Sequence, residues 1–351
     1  MVSKLDQSVG EVIEALNNRK MLENSIVLFM SDNGAPTEGF LQNYGSNYPL
    51  RGIKNSPWEG GVRGVAAIWS PLIKNRKRVS NQLISVVDWL PTLLSIVGDA
   101  NIPKIDGRNI WPTLESDKLN LRQEVLINID DINGYSAIRR GNFKYVNGET
   151  PLRFTWIGDS GKSPDENRPS YDPEKVLYSK AGIAFAETIK QISKQKVNQL
   201  QVDITRESIL TSNKILQLRQ QAEVHCNVTE QEKIPCDPMI FPCLFNIKDD
   251  PCEMINIIEQ KPFVAASLEM TLLKYRLTMV PPSNKEMDFQ ANPIHWNNTW
   301  TYWQESQPSL IKVFTCTYSN MYIALIVFIL FVSIGISLGF KLYYSKKQKL
   351  K

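Results

Sequence analysis

The sequence predicts an α/β fold: part of a parallel sheet, then a small antiparallel sheet with a helix, then a single membrane-spanning helix. Three observations carry this expectation. The apolar run Ile26-Val27-Leu28-Phe29-Met30 follows a helix-like segment and ends at Ser31-Asp32-Asn33-Gly34. Short alternating runs take over from about residue 121. Met321 to Phe340 then holds twenty residues without a charge. The expected divisions are 1–120 (α/β part), 121–282 (antiparallel sheet with a long insertion), 283–320 (wrapping or juxtamembrane segment), 321–340 (transmembrane helix) and 341–351 (basic tail).

The chain opens on a helix. Val2, Leu5, Val9, Val12 and Leu16 recur at helical spacing, and Ser3 and Asp6 have the form of a capping box. Met1 is thus followed by an amphipathic helix rather than by the basic segment and apolar core of a signal peptide. The run 26–30 is short, continuous and rich in β-branched and aromatic residues, the pattern of a strand buried on both faces of a parallel sheet. Ligands sit just past the carboxyl ends of such strands. Asp32 and Asn33 therefore place a carboxylate and a carboxamide oxygen at a binding position, with Gly34 expected to permit a sharp turn. Hard oxygen donors suit Ca²⁺ or Mg²⁺, and no thiolate or imidazole lies nearby for zinc. On this pair alone, an Asx turn that merely caps the strand is the better reading.

Two further segments follow in order. Asn47-Tyr48-Pro49-Leu50-Arg51-Gly52-Ile53-Lys54 precedes Pro57-Trp58-Glu59-Gly60-Gly61-Val62-Arg63-Gly64, and a second buried run begins at Val65. Leu90-Pro91-Thr92-Leu93-Leu94, Asp106-Gly107 and Leu244-Phe245-Asn246-Ile247-Lys248-Asp249-Asp250-Pro251 continue the series. With Asp32-Asn33-Gly34, this order resembles the sulfatase family, most closely its arylsulfatase B branch, to about residue 280. The resemblance implies part of an alkaline-phosphatase-like sulfatase sheet. It also implies that Asp32 and Asn33 supply two ligands to one calcium ion, and that Lys54 reaches the sulfate group. A compact ammonium charge suits a cluster of sulfuryl oxygens. Glu59 to Arg63 is expected to be structural, with glycines for a tight turn and a Glu59–Arg63 pair to hold it.

The family's nucleophile, a formylglycine, is made from cysteine in a Cys-x-Pro-Ser-Arg or Cys-x-Ala-x-Arg context. Cys226, Cys236, Cys243, Cys252 and Cys316 are followed instead by Asn-Val, Asp-Pro, Leu-Phe, Glu-Met and Thr-Tyr. The paired aspartates and the active-site lysine and histidines of the family match nothing here. His225 and His295 lie in regions that match no catalytic segment, and an ordinary surface role is expected for each. These features lead to the expectation of a carboxyl-terminal part of a sulfatase, whether from a partial gene model, an alternative start or a degenerate copy.

Later elements follow from local signals. Leu83–Val97 is helix-like, interrupted by Pro91 and ending near Gly98. Gln123–Ile129 reads as a strand. Tyr135–Ile138 and Phe143–Val146 flank Arg139-Arg140-Gly141-Asn142 as a hairpin. Pro151–Pro173 reads as a long loop, Ile183–Glu223 as a solvated helical insertion, and Phe263–Leu277 as the terminal helix of the small domain. Pro281–Ser319, with Trp296, Trp300 and Trp303, either wraps back over the domain or lies at a membrane interface.

At about 1.5 Å per residue, Met321–Phe340 spans about 30 Å as a helix, the thickness of a bilayer core. Lys341, Lys346, Lys347, Lys349 and Lys351 follow it with no acidic residue, which places the tail in the cytosol and the bulk of the chain in the lumen or outside the cell. The expected localisation is a single-pass type I membrane protein of the endoplasmic reticulum, Golgi, lysosome or cell surface. Lys347 and Lys349 also have the spacing of dilysine retrieval signals. The net charge of +4 is smaller than the five tail lysines, so the rest of the chain is slightly acidic and offers no nucleic-acid footprint. In an oxidising compartment Cys226, Cys236, Cys243 and Cys252 form two disulfides, in any of three pairings. Asn227-Val228-Thr229 and Asn297-Asn298-Thr299 are glycosylation sequons.

Three functions are carried forward. The first is calcium-dependent sulfate-ester hydrolysis, with sulfated amino sugars of glycosaminoglycans as the substrate class that the resemblance implies, inactive in this chain alone. A membrane-tethered glycoprotein that retains a sulfatase shell is the non-enzymatic alternative. A related phosphatase or phosphodiesterase is the third, and the Asp-Asn pair speaks against its usual two zinc ions.

Overall fold

The computed structural model describes residues 1–37, 45–98, 104–117, 121–148, 171–197, 210–284 and 286–306. The apolar segment 321–340, the tail lysines, Cys316 and most of the expected loop 151–173 lie outside the described residues. Among the described residues no helix is long and apolar enough to cross a membrane. Met1–Val280 forms one compact unit and Pro281–Lys351 another.

The first unit opens with helix α1 (Val2–Asn18), whose Ile13 is fully buried with Val9 and Leu16 packed beside it. Ser3 lies inside the helix and no side chain caps it, so the expected capping box does not form. Asp6 is used elsewhere: it accepts from the Ser179 hydroxyl at 3.0 Å. Strand β1 (Val27–Met30) then pairs with β2 (Ala66–Trp69), and the pairing is antiparallel rather than parallel. Nor is β1 covered on both faces, since Phe29 remains 39% exposed. The reason is the cover. A single helical layer packs Val27 and Trp69 against Ile13, Leu22 and Ala184, and leaves the opposite face open.

Helix α2 (Glu59–Val62) precedes β2, and α3 (Trp89–Val97) and α4 (Trp111–Ser116) follow it. Pro91 sits in the first turn of α3, where its missing amide costs no hydrogen bond, so it starts the helix rather than interrupting it. Strands β3 (Glu124–Asp130), β4 (Tyr135–Arg140), β5 (Phe143–Asn147) and β6 (Cys243–Asn246) form an antiparallel sheet in that order. Between β5 and β6 come α5 (Pro173–Leu177), α6 (Lys180–Val197) and α7 (Ser212–Ala222). The expected solvated insertion is corrected at α6. This helix packs along α1 and buries Ala184 and Thr188, and Phe185 meets Trp69 with ring centroids 6.0 Å apart. Gly10 permits the close crossing, because a Cβ there would lie 2.5 Å from the Lys180 side chain.

Alternation divides the second sheet into two faces. Ile138, Tyr145 and Leu244 pack against Ala265, Leu268 and Leu272 of α8 (Pro262–Thr278). Ala137, Val146, Cys243 and Phe245 point the other way, onto Trp58. Trp58 is fully buried, edge-on to Phe245 at 5.8 Å between ring centroids. The segment before α2 is thereby fixed to the carboxyl-terminal sheet.

The second unit holds two short 3-10 turns, Phe289–Ala291 and Pro293–His295, and helix α9 (Trp303–Ser306). The Trp296 and Trp303 indoles donate to the Gln290 carbonyl and the Asp288 carboxylate, each at 2.7 Å, while Trp300 is exposed.

Candidate functional site

The turn after β1 is held by backbone bonds on both sides. The Ser31 amide donates to the Val65 carbonyl and the Ser31 hydroxyl accepts from the Val65 amide, both at 2.9 Å. The Gly34 amide donates to Gly61 O at 2.8 Å. Gly34 is required for close approach rather than for a sharp turn: a Cβ there would lie 1.7 Å from the Gly60 carbonyl oxygen. Gly60 is similarly packed against the Arg51 and Gly52 carbonyls. The glycines of the 59–64 segment therefore let backbones meet.

Within the turn, the Asn33 amide donates to Asp32 Oδ1 at 2.9 Å and the Asn33 side-chain nitrogen donates to Gly34 O at 2.7 Å. The Asp32 Oδ2 and Asn33 Oδ1 atoms keep their lone pairs free of hydrogen bonds among the described residues. Both residues line an open cavity of about 2240 Å³, together with Arg63, Arg139, Lys248 and Asn227.

Lys54 approaches this turn through its backbone. Its amide donates to Ala35 O at 3.1 Å, and Asn47 ties Ala35 to the same loop with bonds of 2.8 Å in both directions. The side chain is half-buried and does not line the cavity that Asp32 and Asn33 share. Its ammonium group forms no ion pair among the described residues. The structure thus joins Lys54 to the Asp32-Asn33 turn by main chain alone.

Sequence reasoning did not find the buried charge cluster beneath the turn. Lys144 lies on β5 on the same face as Val146, fully buried, with its ammonium 3.0 Å from Glu59 and 2.8 Å from Glu253. The Glu253 carboxylate also accepts from the Glu59 backbone amide at 2.7 Å. Arg139 reaches Glu59 at 3.5 Å. The expected Glu59–Arg63 pair is corrected: Lys144 and Arg139 hold Glu59, and Arg63 acts on it only at longer range. Burial raises the Glu59 carboxyl, but Lys144 and Arg139 outweigh burial and hold it below the ordinary range. Burial pushes Glu253 up to about 7; Lys144 opposes this and the Glu59 charge adds to it. Arg51 completes the cluster, donating to Glu253 O at 3.0 Å while its guanidinium stacks 3.5 Å over the Trp58 ring.

A second buried node joins the Leu90-Pro91-Thr92 and Asp106-Gly107 segments. Asp88 accepts from Arg122 Nε at 2.6 Å, from the Arg108 amide at 2.8 Å and from the Ser85 amide at 2.9 Å. The Thr92 hydroxyl accepts from the Ile110 amide at 3.0 Å. These segments are scaffold.

Of the three open disulfide pairings, the structure has Cys226–Cys252 and Cys236–Cys243, with Cα atoms 5.8 and 6.0 Å apart. The first bond is adjacent to Glu253. Asn227 and Asn297 are exposed, as are His225 and His295. The two sequons are thus accessible.

Chemically, the turn offers two hard oxygen donors to open space, a set that fits calcium and not a thiophilic metal. Calcium takes about six to eight oxygens. No cluster of three or more His, Cys, Asp or Glu side chains able to hold a metal occurs among the described residues. Asp32 and Asn33 alone would fill only part of such a shell.

A sequence profile described as Sulfatase matches residues 1–99. Arylsulfatase J of Mus musculus is 28% identical over 315 residues, covering 88% of this chain and 44% of that protein. N-acetylgalactosamine-6-sulfatase of Homo sapiens is 36% identical over 120 residues, 34% of this chain and 23% of that protein. The chain spans less than half the length of these relatives. Among solved structures, Ps i-CgsB is 18% identical with a TM-score of 0.47, covering 87% of this chain and 46% of that one.

Proposed function

We propose, from the premise that this chain is a sulfatase-family protein, that it carries one side of a calcium-dependent sulfate-ester-hydrolysing site. The observation that carries this is the Asp32-Asn33 turn, held rigidly by Gly61 and presenting two unused oxygens to an open cavity within the matched segment. Calcium, when bound there, supplies positive charge that orients a sulfate oxygen. Asp32 and Asn33 would hold the ion, and Lys54, tied to the turn through its backbone, would stabilise charge on the sulfuryl oxygens once its side chain turns into the cavity. No cysteine of the chain stands in the sequence context that becomes formylglycine, so these 351 residues alone do not turn over substrate.

Sulfated amino sugars of glycosaminoglycans, the arylsulfatase B-like substrate class, are the proposed substrates. The likeness to a protein named N-acetylgalactosamine-6-sulfatase supports that class. We place the bulk of the chain in the lumen or outside the cell, anchored in membrane lipid by residues 321–340. Two disulfides and two exposed sequons support that placement. The second reading, a tethered glycoprotein without turnover, is favoured by the partial ligand set.

A chimera separates the two. Residues 1–280 would replace the matching segment of mouse arylsulfatase J, with hydrolysis of methylumbelliferyl sulfate followed. Catalysis requires calcium-stimulated turnover that Asp32→Ala, Asn33→Ala and Lys54→Ala each remove. A secreted, folded chimera without turnover supports the non-enzymatic reading.

A further inference from the structure

One line of contacts behind the Asp32-Asn33 turn leads through Gly34 and the 59–61 segment to the carboxyl-terminal sheet. The Gly34 amide is bonded to Gly61, and Gly60 packs against Gly34 closely enough to exclude a methyl group. Both glycines belong to α2, a helix of four residues too short to hold itself. Three outside groups fix its first residue: Glu253 accepts from the Glu59 amide, and Lys144 and Arg139 bind the Glu59 carboxylate. Lys144 in turn stands on β5, 0% exposed, between two carboxylates that would repel each other without it. Glu253 is itself constrained. It sits at φ 57°, unusual for a residue with a side chain, next to the Cys226–Cys252 disulfide and under the Arg51 guanidinium.

We propose that Lys144 and Glu253 are positioning residues for the Asp32-Asn33 turn, so that the carboxyl-terminal sheet sets the geometry of the ligand donors from behind. This rests on the reading of Asp32 and Asn33 as cation ligands. The ammonium fixes the start of α2, α2 fixes Gly34, and Gly34 fixes the direction of the two preceding side chains. Lys144 and Glu253 do not line the cavity that Asp32 and Asn33 share. A buried ion pair adds little net stability against an apolar replacement, but as a registration device it admits one arrangement of its partners.

The test uses the full chain and two readouts. Hydrogen exchange would be followed for Ser31–Gly34 and Glu59–Gly61, with Tb³⁺ luminescence as a stand-in for calcium binding. The variants are Lys144→Met and the charge-neutral Glu59→Gln/Lys144→Met/Glu253→Gln, with Leu268→Ala on α8 as an equally destabilising control. The expected result is at least tenfold faster exchange confined to the two turns, and weaker Tb³⁺ binding, in either cluster variant that folds. In Leu268→Ala the turns remain protected relative to the rest of the chain. Exchange at the turns that is unchanged in the neutral triple variant, or that rises only as much as in the control, overturns the proposal. Selective loosening together with no Tb³⁺ binding even in the unsubstituted chain would retain the positioning role and reject the cation reading.

Discussion

The Gly34 amide and the Gly61 carbonyl meet at 2.8 Å, joining the turn after the first strand to a short helix that is itself pinned from the carboxyl-terminal sheet. Two segments that are 27 positions apart in sequence are therefore joined, and Asp32 and Asn33 lie next to the joint. The consequence is a stability requirement at a glycine with ordinary backbone angles.

Gly34→Ala places a methyl group 1.7 Å from Gly60 O, and backbone must move to relieve it. Overpacking of this kind costs about 1–3 kcal/mol. Urea denaturation is expected to show a lower midpoint, with no such change for Ala35→Gly beyond its small entropic cost.

The Glu253 carboxyl is pushed up to about 7 by burial, with Glu59 adding to the shift and Lys144 opposing it. Folding therefore favours the protonated form. The stability that this group contributes is fully present below its unfolded value near 4.5 and is lost as pH rises through 7. Glu59, shifted the opposite way, loses its contribution only as pH falls below 4.5. Thermal melts should show the chain more stable at pH 5 than at pH 8, and Glu253→Gln should flatten that dependence. A melting point that climbs between pH 5 and 8 in the unsubstituted chain contradicts this assignment.

Asp88 and Arg122 are both buried, and removal of one partner strands the other. Arg122→Ala should cost about 3–5 kcal/mol. Leu72→Ala, a change at an exposed side chain, serves as the comparison. A loss below about 1 kcal/mol would show that the pair is solvated in solution.

The Cys226–Cys252 bond closes a longer loop than Cys236–Cys243, with sequence separations of 26 and 7. On chain entropy alone, the first contributes about 3–4 kcal/mol and the second about 2–3 kcal/mol. The Cys226→Ser/Cys252→Ser variant should also loosen Glu253, so its loss should exceed that of Cys236→Ser/Cys243→Ser. A difference in denaturant titrations no larger than the roughly 1 kcal/mol that loop length supplies would show that the tie to Glu253 carries no stability.

The hairpin 135–147 and helix 262–278 were legible because each has an unambiguous local signal: Gly141 at a tight turn, and a long apolar-rich run that begins at Pro262. The position of Asp32 and Asn33 in the turn after β1 was legible from the apolar run before them, while their reading as ligands came from the family resemblance. The antiparallel partner of β1 was not, since an apolar run predicts burial without specifying its neighbour. Helix α6 reads as solvated in sequence because its fully buried positions are Ala184 and Thr188, small or polar residues, with Phe185 the large apolar side chain packed beside them. Lys144 and Glu253 were missed for a related reason. A lysine in Phe143-Lys144-Tyr145-Val146 reads as the outward position of an alternating strand, and nothing local reveals that both faces of this sheet are covered. The one available signal was that Glu253 directly follows the Asp250-Pro251 segment and a cysteine.

The most direct measurement is a Tb³⁺ titration of the full chain with displacement by Ca²⁺, comparing the unsubstituted protein with Asp32→Ala. With only two donors, binding weaker than the roughly millimolar limit of extracellular calcium modules is expected. The prediction is a saturable signal that Ca²⁺ displaces and that Asp32→Ala abolishes. A signal of equal strength and affinity in Asp32→Ala would contradict the assignment of this turn as the cation-binding side of a sulfatase site.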